Sequence, residues 1–198
     1  MLTMLSKMMT KSFIRTNTRR WFMQSCAAVL LAGVLPNKSF AAGYLRGSGE
    51  IRKVRLQRPE AGEKLDMIYW VEGKYIREAL SEFNYFCRDL VANTVHVMDT
   101  RLIDILAASQ ILLDTNEPFS IQRGFVYDYR LMRDGLRPEK KPNPFYHSNG
   151  TALDVSLTNQ SIKQISRAAI RCRSGGVGRY PQHNYVHIDC NEVRDWDE

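Results

Sequence analysis

From Tyr75 to Leu90 the apolar residues Ile76, Ala79, Leu80, Phe83, Phe86, Cys87 and Leu90 recur in steps of one and three. That rhythm keeps them on one side of a 3.6-residue period and predicts an amphipathic helix. Just before it, Tyr69-Trp70-Val71 suits a strand ending at Gly73. A second helix is predicted from about Thr100 to Leu113, where Leu102, Ile103, Ile105, Leu106 and Leu113 are apolar and Asp99 is placed to cap the first turn. Both helices read as packing elements. Glu117-Pro118 closes that region, and Phe119 to Phe125 reads as a strand. The charged stretch from Tyr127 to Lys141 is broken by Gly135 and Pro138, and Pro142 and Pro144 lead on as loop.

After residue 154 the pattern resumes. Val155-Ser156-Leu157-Thr158 predicts a strand, and Ser161 with Gln164 three residues on forms a capping box for another helix. Ile162, Ile165, Ala168, Ala169 and Cys172 mark its buried face. Gly175-Gly176-Val177-Gly178 lacks the Lys-Ser/Thr of a phosphate loop and follows a helix rather than opening one, so it reads as a turn. The last predicted strand runs from Asn184 to Cys190. Alternation puts Tyr185, His187 and Asp189 on one face and Val186, Ile188 and Cys190 on the other.

Length and charge narrow the class. With 198 residues the chain has room for one domain with a sizeable core. The formal charge of +7 suggests nucleic acid or membrane only until its distribution is read. Residues 1–41 hold Lys7, Lys11, Arg15, Arg19, Arg20 and Lys38 and no acid; removing those six of 28 basic residues leaves 22 against 21 acids. A nearly neutral body without a basic-aromatic stripe argues against a nucleic-acid binder.

The basic leader has its own logic. Thr18-Arg19-Arg20-Trp21-Phe22-Met23 precedes an apolar run from Cys26 to Pro36 and then Ser39-Phe40-Ala41, a small-x-small cleavage pattern. This reads as a twin-arginine export signal over residues 1–41, with the mature domain over 42–198 and a periplasmic destination. The run is about 11 residues, too short for a hydrocarbon core of ~30 Å. Removal of the leader leaves Cys87, Cys172 and Cys190 in an oxidising space. They read as small buried hydrophobes, with a Cys172–Cys190 bridge as the alternative.

Candidate chemistry collects in two short blocks, His147-Ser148-Asn149-Gly150-Thr151-Ala152-Leu153-Asp154 and Asn184-Tyr185-Val186-His187-Ile188-Asp189. Two of the four histidines and a carboxylate are the ingredients of a three-ligand zinc site with an open fourth position. His147 and Asp154, seven residues apart, would point to opposite faces of an unbroken strand; a turn at Asn149-Gly150 removes that conflict. His187 is then the third ligand, and Asp189 is placed either to orient a ligand imidazole or to activate water. Taken singly, a strand histidine is usually a hydrogen-bonded structural residue, and Asp154 could cap a turn.

The pattern of His147, Gly150, Ala152 and Asp154, followed by Gly-Gly-Val-Gly-x-Tyr-Pro and Val-His-Ile-Asp, resembles the zinc D-alanyl-D-alanine peptidases. It is most similar to their branch of twin-arginine-exported murein endopeptidases, and Tyr69-Trp70, Phe83 to Asp89 and Met98 to Leu102 extend the likeness. The resemblance implies an α+β fold like the hedgehog signalling domain, with a small antiparallel sheet flanked by helices. It implies Zn2+ on His147, Asp154 and His187, and hydrolysis of D-alanyl cross-links between peptidoglycan stem peptides by a DD-endopeptidase or carboxypeptidase. Two departures stand out. Where the family carries Gly-Tyr-Arg this chain has Gly124-Phe125-Val126, leaving Arg123 or Arg130 as substitutes for the substrate arginine. The family's base positions hold Asn184 and Tyr185, so Asp189, preferred, and His183 are the candidate bases. Arg173 and Arg179 are candidates for binding stem-peptide carboxylates. The contrasting reading is a zinc-containing module that binds cell-wall peptides without cutting them.

Overall fold

The computed structural model of the chain describes residues 50–129 and 146–198. The expected export leader, Arg130 and the proline approach to His147 lie outside them.

Two long strands, β1 (Ile51–Arg58) and β2 (Glu63–Val71), form an antiparallel hairpin around a 3-10 turn at Pro59–Ala61. Val54 and Leu56 on β1 and Leu65, Met67 and Tyr69 on β2 are buried, whereas their sequence neighbours turn outward. Sequence periodicity assigned no element before Tyr69; three arginines and a lysine in β1 hide a two-residue alternation. Strand β3 (Lys74–Tyr75) follows Glu72-Gly73, both at positive φ (47° and 85°), the paired geometry that suits a two-residue hairpin turn. Helix α1 (Arg77–Phe86) lies within the span that spacing predicts and packs on β2 through Ala79, Phe83 and Phe86.

Helix α2 (Thr100–Leu112) starts at Asp99, whose side chain accepts the Arg101 N–H. Every residue from Leu102 to Gln110 is buried, because α2 meets both β1 and α3 (Ile162–Arg171). One of them is the acid Asp104. It accepts hydrogen bonds from the hydroxyls of Tyr69 (2.9 Å) and Tyr75 (2.6 Å) and from Arg52 (3.3 Å), and the Arg52 guanidinium lies 4.1 Å from the Trp70 ring centre. This cluster ties α2 to three strands at once and satisfies a charge that burial alone would make very costly.

The remaining strands are β4 (Phe119–Arg123), β5 (Ala152–Ser156), β6 (Gly176–Tyr180), β7 (Tyr185–Asp189) and β8 (Arg194–Asp197). The sheet order is β3-β2-β1-β4-β5-β7-β6-β8, with β1/β4 and β6/β8 parallel and the other neighbours antiparallel. Helix α3, with the Ser161/Gln164 capping box that the sequence predicts, packs on β6 and β7. The described residues thus form a mixed architecture of eight strands and three helices, in keeping with α+β, though the sheet is larger than expected and not wholly antiparallel.

Two local expectations change. Gly176 and Gly178 lie in β6, not in a turn, because neighbouring strands fill the space where side chains would stand. A Cβ at Gly178 would come within 2.5 Å of the Trp196 ring on β8. The sheet also continues past Cys190 into β8. Among the described cysteines no bridge forms: Cys87, Cys172 and Cys190 are free and buried, and burial pushes the first two thiols up to about 12. They act as small hydrophobes.

Truncating the buried acid tests the tie between helix and strands. Asp104→Ala leaves two phenol hydroxyls and a guanidinium without their acceptor and is expected to cost about 3 kcal/mol of unfolding free energy. Urea denaturation measures it, and a cost under about 1 kcal/mol would show that the cluster is dispensable.

Candidate metal centre

The register of two adjacent strands builds most of the site. Asp154 on β5 lies directly opposite His187 on β7, and antiparallel partners point their side chains to the same face. Their inward neighbours Leu153, Val155, Val186 and Ile188 are at most 2% exposed, so core burial locks the register and holds the polar pair on the other face. The Nδ1 of His187 is 2.7 Å from Oδ1 of Asp154.

His147 arrives from the turn ahead of β5. The Gly150 N–H donates to the His147 carbonyl (3.2 Å), and the Thr151 N–H to that of Tyr146 (2.9 Å). Gly150 has φ +68°, and a Cβ there would lie 2.4 Å from the Val97 carbonyl oxygen, so glycine is required on both counts. The Asp99 N–H donates to the Gly150 carbonyl (2.8 Å), fastening this turn to the start of α2. Nδ1 of His147 faces the Gly124 carbonyl at 2.9 Å, which assigns the proton to Nδ1 and turns the Nε2 lone pair toward Asp154 Oδ1, 3.3 Å away.

His147, Asp154 and His187 are the cluster among the described residues that could hold a metal ion, with one donor atom from each within 4.8 Å of the others. Two neutral imidazole nitrogens and a carboxylate suit a divalent transition metal. Electrostatics keep the carboxylate ionised and leave the metal to compete with a proton at His187. Burial works against ionising Asp154, yet the two imidazoles hold its carboxyl down at about 2. Burial likewise opposes a charge on His187, but Asp154 and Asp189 on its two sides outweigh it and raise the ring above its ordinary value.

Asp189 is fully buried. Its carboxylate accepts from the backbone N–H groups of Gly176 (3.1 Å) and Asn191 (2.8 Å) and from Arg194 (2.7 Å), and Oδ2 lies 3.5 Å from His187 Nε2. Burial raises its pKa, and these donors more than reverse that, leaving it well below the usual carboxylate range. His183, by contrast, is exposed on the 3-10 turn entering β7, its ring centre 6.1 Å from that of Tyr185.

One of the two candidate substitutes for the substrate arginine, Arg123, reaches the site, while two further features, Trp196 and Arg194, were not legible as chemistry. A register shift between Ile121 and Arg123 pairs Arg123 with Asp154 and brings its guanidinium within 3.6 Å of Asp154 Oδ2 while more than half of the side chain stays in solvent. Regular alternation would have sent Gln122 and Arg123 to opposite faces. Trp196 stands over Gly178, with its ring centre 5.6 Å from that of His187. Arg194 backs Asp189. Of the arginines singled out for substrate carboxylates, Arg179 is engaged with Asp195 and Asp197 of β8, and Arg173 lies exposed past the end of α3.

A His-Asp-His donor set on the polar face of a sheet, beside a half-exposed arginine, places the chain in the class of metallopeptidases. A family model described as peptidoglycan L,D-endopeptidase MepK matches residues 46–196, and the chain belongs to that family. It is 32% identical over 180 residues to the peptidoglycan L,D-endopeptidase MepK of Escherichia coli strain K12, covering 90% of this chain and 96% of the relative. The protein of the same name from Shigella flexneri matches equally well. A probable peptidoglycan L,D-endopeptidase MepK of Haemophilus influenzae is 26% identical over 188 residues, 93% of this chain and 98% of the relative. No solved structure matches the chain. The expected kinship with the zinc D-alanyl-D-alanine peptidases is borne out, while the names of these relatives specify an L,D bond.

Ligand removal gives a direct check. His187→Ala is expected to lose stoichiometric metal, read by elemental analysis after dialysis, and full occupancy in that variant would remove His187 from the ligand set. Because a metal that binds only the folded chain stabilises it by mass action, EDTA is expected to lower the melting temperature of the native protein and leave that of His187→Ala unchanged.

Proposed function

We propose that this chain is a zinc-dependent murein endopeptidase that hydrolyses peptide cross-links in peptidoglycan, acting in the periplasm after export by the twin-arginine route. The observation that carries this reading is the convergence of His147, Asp154 and His187 beside Arg123. Family membership supports the substrate class, and the leader of residues 1–41 supports the compartment. Among the described residues no helix is long and apolar enough to cross a membrane. The sheet with helices on it agrees with a hedgehog/DD-peptidase-like fold.

Zinc is the metal that best fits two imidazoles and one carboxylate, and when bound it supplies Lewis acidity toward water and the scissile carbonyl. The protein's own groups do the rest. His147, its Nδ1–H held by the Gly124 carbonyl, and Asp154 present fixed donors. Asp189, one of the two candidate bases, takes the orienting role: enclosed by its donors, it fixes the tautomer of His187 from Nε2. Proton transfer falls to His183, which water and substrate reach freely. Arg123 stands in for the family's substrate arginine and binds a carboxylate or carbonyl of the cross-link. The scissile bond is of the L,D type in the names of the relatives rather than the D-alanyl bond expected from the motif alone.

The test is incubation with purified muropeptide dimers, L,D-linked or D-alanyl-linked, with and without EDTA. Conversion to monomers, faster for the L,D dimers, abolished by EDTA and restored by zinc, is the expected result. Stoichiometric zinc with no cleavage of any dimer would favour the peptide-binding module. Two variants separate the roles. Arg123→Ala is expected to raise KM roughly tenfold, the loss of one charge-assisted hydrogen bond. His183→Ala is expected to lower kcat about 100-fold with zinc retained, and unchanged turnover would remove His183 as the base.

A further inference from the structure

The residue that connects the two ligand-bearing blocks is Arg194, on the C-terminal strand β8, and the proposed function gives it no part. Its two terminal nitrogens reach both oxygens of Asp189, at 2.7 and 3.3 Å. Asp189 in turn lies against His187 Nε2. The guanidinium is flanked by the rings of Trp196 (4.9 Å) and Tyr146 (5.3 Å), and Tyr146 directly precedes the ligand His147. Arg194 therefore touches the partner of one ligand histidine and the chain neighbour of the other.

The backbone around this pair is shaped to admit it. A Cβ at Gly176 would come within 2.5 Å of both the Arg194 guanidinium and Asp189 Oδ2, so only glycine leaves the pair its space. The Glu192 carbonyl accepts a further hydrogen bond from Arg194 (3.0 Å), which fixes the side chain from the bend just ahead of its own strand. A planar fork with two parallel donors and a flat face for aromatic contact is specific to arginine; lysine offers a point charge.

We propose that Arg194 is a positioning residue for the metal centre, holding Asp189 so that the His187 imidazole keeps Nδ1 turned toward Asp154. This rests on His147, Asp154 and His187 forming the metal site. In the absence of Arg194, Asp189 keeps its two backbone donors but loses the bidentate clamp that sets its plane. The His187 ring then gains rotational freedom, and metal affinity falls although no ligand has been changed.

The test uses the full-length protein and zinc itself. Zinc dissociation constants are measured by competition with a chromogenic chelator for the native protein, Arg194→Met, Arg194→Lys, Asp189→Asn and the Arg194→Met/Asp189→Asn double variant. Arg194→Met is expected to weaken zinc binding 10- to 100-fold, and Arg194→Lys to recover part of the loss. In the Asp189→Asn background the Met substitution is expected to add less than threefold, since both act through one imidazole. A merely structural role would lower the melting temperature of the variants while leaving zinc affinity at 25 °C unchanged. Native affinity in Arg194→Met overturns the proposal, as do fully independent losses in the double variant. If Arg194→Met does not fold, Arg194→Lys decides: a conservative replacement with native zinc affinity likewise overturns it. Zinc affinity is read without substrate, so a protein that binds zinc and cleaves no muropeptide overturns the proposed function but not this inference.

Discussion

The opposition of Asp154 and His187 across β5 and β7 is the contact on which the rest of the site depends. It is a matter of register, and the polar residues do not set the register. Leu153, Val155, Val186 and Ile188 do, by burying their side chains against the helix layer. A one-residue slip of either strand would carry its two apolar residues into solvent and its carboxylate or imidazole into the core, at a cost of several kcal/mol. The apolar side of the sheet thus holds the chemistry of the polar side in place.

Glycines do a different kind of work at the same site. Gly124 packs its α-carbon against the Cys87 carbonyl, where a Cβ would lie 2.3 Å away, and so lets its own carbonyl meet His147. In β6, Gly176 leaves room for a buried ion pair and Gly178 for an indole ring, both supplied by β8. Strand glycines weaken a sheet in isolation; here the loss is balanced by what the neighbouring strand puts into the vacated space. The C-terminal strand is therefore part of the centre although it contributes no ligand.

Electrostatics divide the polar residues by access. Asp154 and Asp189 are both held as carboxylates, one by imidazoles and the other by Arg194 and backbone donors, and neither has a free face toward bulk water. Arg123 and His183, by contrast, stay exposed. The far cluster around Asp104 has no link to the chemistry and ends differently: burial outweighs its three donors and raises its carboxyl, while the donors satisfy the buried acid and anchor α2.

Much of this was legible in the chain. Periodicity marked the three helices of the described residues and the strand of His187, residue spacing marked the Ser161 capping box, and histidine spacing with Gly150 marked the cluster that could hold a metal, because these signals are local. Arg123 was legible as one of two candidate arginines, but its approach to Asp154 was not, since the bulge that re-aims it exists only when β4 pairs with β5. The β6 glycines read as a turn because a sequence shows a missing side chain without the indole and guanidinium that occupy its place. The donors that enclose Asp189 were not legible, because alternation gives the face of a residue and not its neighbours. The sequence by itself determined which atoms could bind a metal, and the tertiary structure decided which polar groups remain free to act, because freedom depends on neighbours brought from distant parts of the chain.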